Sequence, residues 1–332
     1  MKKILVIQTA FIGDVVLATA LVEKLGHYYK ESDIDFIVRK GNEQLLANNP
    51  FIRNVLVWNK KTDKLKNLFQ LVSLVRKNRY DVVINLQRYL STGLLTIFSG
   101  SKKTIGFTEN PLSLFFTKKI VHQFDVRNPR HEVEKNNDLI KDLTDASLSR
   151  PALYPSPSDE QMVANYKTQP FVTMTPSSVW FTKKYPVKKW IELINHFDPG
   201  FKIYLLGGDD NNEECKSIMH AAHNKNTEVL AGRLSYLQSA ALMRSAAMNY
   251  TNDSAPLHFA SAVNAPVTAI FCSTVPAFGY TPLSDKSYIV ETGLHLKCRP
   301  CGIHGYQACP LGHFNCAHTI TTSQVMESFY AN

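Results

Sequence analysis

The chain has 332 residues, 44% hydrophobic and 20% charged, with 37 Lys and Arg against 28 Asp and Glu for a formal net charge of +9. That composition describes an ordinary soluble globular protein long enough for two domains, and no uninterrupted apolar run reaches the ~20 residues needed to span a bilayer. The positive surplus points to an anionic partner (a nucleotide, a nucleic acid or a phosphate-bearing membrane surface) without choosing among them.

Residues 3–7, Lys-Ile-Leu-Val-Ile, read as a buried strand, and residues from Val15 onward read as a helix, with Gly13-Asp14 at the junction. Lys2-Lys3, the apolar stretch and Ala18-Thr19-Ala20 mimic a secretory signal, but Gln8 and Asp14 interrupt the apolar region and a strand–loop–helix entry fits better. A cytosolic chain is expected, touching a membrane at most from its inner face. Asp14 falls at a helix N-terminus and at the carboxyl edge of a sheet, where open α/β folds bind ligands. An aspartate there also serves as a simple helix cap.

Further strands are expected at 34–38, 54–58, 81–86 and 103–106, with helices near 15–29, 64–78 and 131–143. The Pro151–Ser158 stretch cannot continue a helix and is placed as the linker, dividing the chain into 1–153 and 154–332. The second half repeats the pattern, with strands at 171–175, 202–206, 227–230, 248–252 and 267–271 and helices near 187–197, 211–223, 235–246 and 255–263. β-branched runs alternating with helical stretches predict parallel βαβ units. The expected architecture is α/β: two Rossmann-like domains with parallel sheets facing across a cleft that holds the active site.

Three strand ends carry polar clusters. In Tyr250-Thr251-Asn252-Asp253-Ser254-Ala255-Pro256-Leu257-His258, Ser254 can cap a helix, Pro256 suits its first turn, and the backbone N–H groups there form an anion site. Capping and a core histidine are the plainer readings. Ser177, Ser178, Lys183 and Lys184 lie between a strand and a helix that Pro186 helps to start, a composition suited to a diphosphate or to a solvated basic loop. Gly207-Gly208-Asp209-Asp210-Asn211-Asn212-Glu213-Glu214 places acids in a first helical turn, where they complement the dipole and could also accept hydrogen bonds from ribose.

Cys298, Cys301, Cys309 and Cys316 fall within 19 residues, among His304, His313 and His318. A Cys-x-x-Cys followed by two thiols could hold a structural zinc, although the second pair is spaced Cys-x6-Cys; simple thiols or a labile disulfide are the alternatives. Asp33-Ile34-Asp35 matches the Asp-x-Asp of metal-dependent sugar transferases but lies at the wrong end of a strand. No Gly-x-Gly-x-x-Gly and no P-loop signature is present.

Taken together, these segments resemble glycosyltransferase family 9, the ADP-heptose:lipopolysaccharide heptosyltransferases of bacteria, over nearly the whole chain. The most specific piece is Thr251-Asn252-Asp253-Ser254 with His258 five residues after the Asp. Lys183-Lys184-Tyr185-Pro186 looks like the family's Lys-x-Trp-Pro element with Tyr185 in place of Trp, and the cysteine region is nearest the heptosyltransferase II branch. The resemblance implies a GT-B fold and transfer with inversion, with neither a metal nor a cofactor at the chemical step. It implies Asp14 as general base, Lys183 as diphosphate-binding lysine, and Ser177 or Ser178 as further phosphate contacts. Asp253, Ser254 and His258 would form the nucleotide-phosphate loop, and Glu213, with Asp209 close behind, would be the ribose-binding acid. Ala255 departs from the family's usual glycine, and its methyl would hold the phosphate slightly further from the backbone. The implied partners are ADP-heptose, a lipid-linked anionic oligosaccharide acceptor and, transiently, the cytoplasmic face of the inner membrane, but no nucleic acid.

The chemistry suits these residue types, since a carboxylate can take the proton of a sugar hydroxyl as the new bond forms. A lysine and a helix start can stabilise the charge gathering on a leaving diphosphate. Arg88, Lys102 and Arg130 are candidate acceptor contacts, with a solvated surface charge the favoured reading of each. The rival enzyme readings are a GT-B-like epimerase or a transferase with another donor. A zinc-stabilised nucleic-acid-binding protein is a rival from another class, opposed by the dispersion of the basic residues and the lack of an RNP-like motif.

Overall fold

The computed structural model describes residues 2–331. The chain divides into two compact units, Met1–Asp125 with Arg130–Tyr154, and Val126–Pro129 with Pro155–Asn332.

The first unit is built on β1 (Lys3–Ile7), β2 (Asp33–Arg39), β3 (Ile52–Trp58), β4 (Val82–Asn85), β5 (Lys103–Phe107) and β6 (Lys118–Ile120), with helices α1 (Ile12–Tyr28), α2 (Lys64–Asn78), α3 (Leu90–Ile97) and α4 (Glu132–Asp138). The strands pair in parallel in the order β3-β2-β1-β4-β5-β6. β1 is continuous apolar sequence because a central parallel strand is covered on both faces, and Ile4, Leu5, Val6 and Ile7 are fully buried. α2 spaces Leu68, Leu71 and Val75 to one face and packs them on Leu5, Ile37 and Trp58.

The second unit contains β7 (Phe171–Thr175), β8 (Lys202–Leu205), β9 (Thr227–Val229), β10 (Met248–Asn252), β11 (Val267–Phe271) and β12 (Ser287–Glu291). Its helices are α5 (Pro157–Val163), α6 (Val187–His196), α7 (Asn212–Ala221), α8 (Tyr236–Arg244), α9 (Ala255–Ala262), α10 (Asn315–His318) and α11 (Thr322–Tyr330). The sheet is again all parallel, in the order β12-β11-β10-β7-β8-β9. Numbered within its own unit and read from the other edge, that is the same order as in the first unit: third, second, first, fourth, fifth, sixth. Both units therefore have a topological switch point, between β1 and β4 and between β7 and β10, outside whose carboxyl ends such sheets bind ligands.

The segment after α4 is fastened to α1. The Thr19 hydroxyl accepts from Ala152 N–H at 2.9 Å, Tyr154 OH donates to the Glu23 carboxylate at 2.8 Å, and Lys24 bonds Asp145 and Ser147. The expected proline-rich linker is only partly extended: Ser156 caps α5 by accepting from Asp159 N–H at 3.1 Å, and Pro157 sits in its first turn. Among the described residues no helix is long and apolar enough to cross a membrane.

Candidate active site

In the second unit the site residues rise from the loops that follow β7, β10 and β11. β10 ends at Asn252, and α9 starts after Ser254, with Pro256 in its first turn. The Ser254 hydroxyl bonds back to Asn252 C=O at 3.4 Å and does not cap α9, so the helix start keeps its positive backbone character for a ligand. Asp253 is buried, 5% exposed, and accepts from Thr274 Oγ1 at 2.6 Å and from Lys183 Nζ at 2.7 Å. The sequence thus brings Lys183, Asp253 and Ser254 to one place. His258 lies a turn further into α9, buried, with its ring 6.5 Å from that of Tyr280.

Asn252, from the motif already singled out, and Thr182, Ser273 and Gly305, to which sequence reasoning gave no role, hold this loop. Asn252 accepts from Tyr185 N–H at 2.8 Å and donates to Pro176 C=O at 2.8 Å, so one side chain fastens both ends of the loop that carries Ser177, Ser178 and Lys183. Thr182 exchanges bonds with Tyr306, donating its N–H to Tyr306 C=O at 3.0 Å and accepting Tyr306 N–H on its hydroxyl at 2.8 Å. Ser273 donates to the same hydroxyl at 2.9 Å, and its C=O accepts from Cys301 N–H at 2.9 Å. Gly305 makes the approach feasible: it has φ +78°, and a Cβ there would stand 2.8 Å from Thr182 Oγ1 and 3.1 Å from Lys183 Cγ. The signal in the sequence was faint: hydroxyl residues after a strand, and a glycine inside the cysteine region.

Ser177 and Ser178 are half-buried in the loop after β7, where Ser178 Oγ accepts from Trp180 N–H at 3.4 Å. Asp209 and Glu213 follow β8, the strand beside β7. Asp209 is exposed. Glu213 is 86% exposed and pairs with Lys216 at 2.8 Å on the surface of α7. Its neighbour Glu214 is the acid that reaches the lysine loop, pairing with Lys184 at 3.0 Å.

The cysteine region does not assemble the expected zinc ligands: among the described residues no three His, Cys, Asp or Glu side chains are placed to hold a metal, and all six cysteines are free thiols. Each candidate sulfur is engaged locally or packed away. Cys298 Sγ meets His313 Nε2 at 3.8 Å, Cys301 Sγ donates to Cys298 C=O at 3.6 Å, and Cys309 Sγ accepts from Phe314 N–H at 3.4 Å. The Cys-x6-Cys spacing leaves Cys309 in a turn and carries Cys316 into α10, where it joins the apolar core with Cys272. The region serves instead as a wall: Arg299 Nε donates to Cys272 C=O at 2.8 Å and its Nη2 to Thr274 C=O at 2.7 Å, clamping the loop onto the end of β11.

In the first unit Asp14 occupies the third position of α1, not the cap position, which Phe11 holds. Its half-buried carboxylate accepts from Phe11 N–H at 3.2 Å and so closes the first turn from inside. The loop before it is fixed by Asn42, which donates to Ala10 C=O at 3.1 Å, and by Lys60, whose Nζ donates to Thr9 C=O and Oγ1 at 2.9 Å each. Burial first, then the charges of Arg39 and Lys64, lower the Lys60 pKa to about 8. Lys60 was not a sequence candidate. Of those that were, Lys102 pairs with Asp81 at 3.3 Å, Arg130 with Asp138 at 2.7 Å, and Arg88 is exposed. Asp33 and Asp35 are taken by Arg53, consistent with a structural pair.

The sequence profile of glycosyltransferase family 9 (heptosyltransferase) matches residues 68–306. Lipopolysaccharide heptosyltransferase 3 of Escherichia coli is 26% identical over 290 residues, which cover 83% of this chain and 85% of that protein. Among solved structures, E. coli ADP-heptose lps heptosyltransferase II superposes with a TM-score of 0.81 at 23% identity, covering 100% of this chain and 98% of that one. The glycosyl transferase family 9 protein of Veillonella parvula DSM 2008 superposes with a TM-score of 0.86 at 22% identity, covering 99% and 96%.

Proposed function

The chain belongs to glycosyltransferase family 9, the heptosyltransferases, and from that premise we propose that it moves a heptose from ADP-heptose to a hydroxyl of a lipopolysaccharide core acceptor, with inversion and with Asp14 as general base. Both E. coli proteins named above are lipopolysaccharide heptosyltransferases by name, and one of the two is named for ADP-heptose. The observation that carries the reading is the Lys183–Asp253 pair beside the start of α9. An ammonium offers three N–H donors; Asp253 takes one and aims the others, leaving Lys183 able to bind a diphosphate. The charge that grows on the departing diphosphate is then met by Lys183 and by the backbone at Ser254, with Ser177 or Ser178 adding hydroxyl contacts. His258 would stand behind this loop, and Asp209 would be a better ribose acceptor than Glu213, whose carboxylate is engaged with Lys216.

At the acceptor, Asp14 accepts the hydroxyl proton as oxygen attacks the anomeric carbon and the bond to the diphosphate breaks. In this proposal no cation takes part in the step. The acceptor's lipid anchor places the reaction at the cytoplasmic face of the inner membrane. Asp14→Asn is the decisive variant. Transfer from ADP-heptose to a core acceptor should fall by at least about 10³-fold while ADP still binds. Near-normal turnover would remove Asp14 from the chemistry, and product of retained anomeric configuration would overturn inversion. Full activity in EDTA is expected; loss of activity in a folded, chelated protein would bring a cation into the step.

A further inference from the structure

Residues 59–120 hold twelve Lys and Arg against three Asp and Glu, a surplus of nine that equals the surplus of the whole chain. The remaining residues, 25 basic and 25 acidic, balance. The same segment leaves large apolar side chains in solvent. On α2, Leu68, Leu71 and Val75 face the core, whereas Leu65 and Phe69, one turn apart on another face, are 67% and 69% exposed. Lys61, Lys64 and Lys66 around them are exposed too. α3 packs beside α2 and begins, like it, at the carboxyl edge of the sheet, with Leu90 at its first position 53% exposed.

We propose that the start of α2, with the neighbouring start of α3, is a docking face for an anionic lipid bilayer. Leu65, Phe69 and Leu90 enter the boundary between headgroups and acyl chains, and Lys61, Lys64 and Lys66 keep their ammonium groups at the lipid phosphates. Each lysine held at a negative bilayer surface strengthens binding roughly fivefold. The occupant follows from the pairing of the two properties. Positive charge alone would suit any polyanion, but two large apolar groups standing in water beside lysines suit an interface that is charged outside and apolar within. The inference deepens the functional reading above, since a lipid-linked acceptor would be met at such a surface, yet it stands on charge and exposure alone.

The test is co-sedimentation of the full chain with phosphatidylcholine vesicles and with vesicles also containing phosphatidylglycerol. Binding is expected only to the second, weakening as salt is raised. Leu65→Ser with Phe69→Ser should weaken it at least about tenfold while leaving ADP affinity and the thermal midpoint unchanged, and Lys64→Glu with Lys66→Glu should do the same. No binding to the anionic vesicles, or binding that neither pair of substitutions alters, overturns the proposal. So does tighter binding to single-stranded RNA than to the vesicles with the same loss in the variants. A chain that docks on vesicles but shows no affinity for ADP would count against the transfer reading and leave the docking face standing.

Discussion

Lys183 Nζ stands 2.7 Å from Asp253 Oδ2, and the same carboxylate oxygen accepts the Thr274 hydroxyl at 2.6 Å. Residues from the loops after β7, β10 and β11 thus meet on one oxygen, and the ammonium is held by an acid that is itself held. Lys183→Ala should lower kcat/KM for the nucleotide-sugar by about 10²–10³-fold with the fold intact, as loss of a single charge-stabilising donor does elsewhere. Asp253→Asn keeps a hydrogen-bond acceptor but removes the charge, so its effect on ADP affinity should be smaller. Steady-state kinetics and calorimetric titration with ADP check both; equal losses in the two variants would mean that the aspartate does more than orient the lysine.

Gly305→Ala should raise the KM for donor and cost about 1–2 kcal/mol of stability, because alanine is strained at φ +78° and its methyl would press on Thr182 and Lys183. Gly312→Ala is the control: it shares the strained backbone, φ +71°, but its methyl would meet nothing within 4 Å. If the two variants lose the same stability and the same donor affinity, the loop does not position Lys183.

Acid should attack the first unit at Glu132. Burial alone would raise its carboxyl; the hydrogen bond and charge of His122 and the charge of Lys135 outweigh that and lower it from 4.5 to about 2. A carboxylate depressed in the folded state contributes stability that is complete above 4.5 and disappears as pH falls through about 2. The thermal midpoint should therefore drop across that window, and Glu132→Gln should be less stable at neutral pH and lose less on acidification. Parallel curves for the two proteins would refute the assignment.

Thiol reactivity should follow the local fields. Burial tends to raise the pKa of Cys309, but backbone N–H groups of the turn, that of Phe314 first, bond its sulfur and lower it. Burial pushes Cys316 up to about 11 and Cys215 up to about 12. Iodoacetamide near neutral pH should label Cys309 well before Cys215 or Cys316, a ranking that peptide mass spectrometry reads directly.

Much of this was legible from the residues. The central strands are short apolar runs between turn signals, and β1, β7, β10 and β11 stand where the pattern put them. The edge strands β6 and β12 were not: β6 is three residues with two lysines, and β12 is mostly half-exposed, so neither shows the apolar signature of a covered strand. α3 went unseen because Tyr89 offers no capping side chain and the helix holds Gly93 and two threonines. At the site, Lys183 and Asp253 could be found because each belongs to a local motif. Thr182, Ser273 and Gly305 could not, because their meaning lies in contacts across 91 and more residues of chain. The zinc expectation failed for a related reason: spacing along the chain says nothing of Cys316 turning into the core.

The fastening of α1 also fixes where the first unit can be cut. Glu23 is 5% exposed, burial already raises its pKa, and Tyr154 and Asn49 supply its hydrogen bonds. A fragment ended before residue 145 would strip Lys24 of Asp145 and Ser147, Thr19 of Ala152 and Glu23 of Tyr154, stranding a carboxylate inside the helix packing. A self-standing version of this half must therefore run through Tyr154, sixteen residues past Asp138, where its last helix ends.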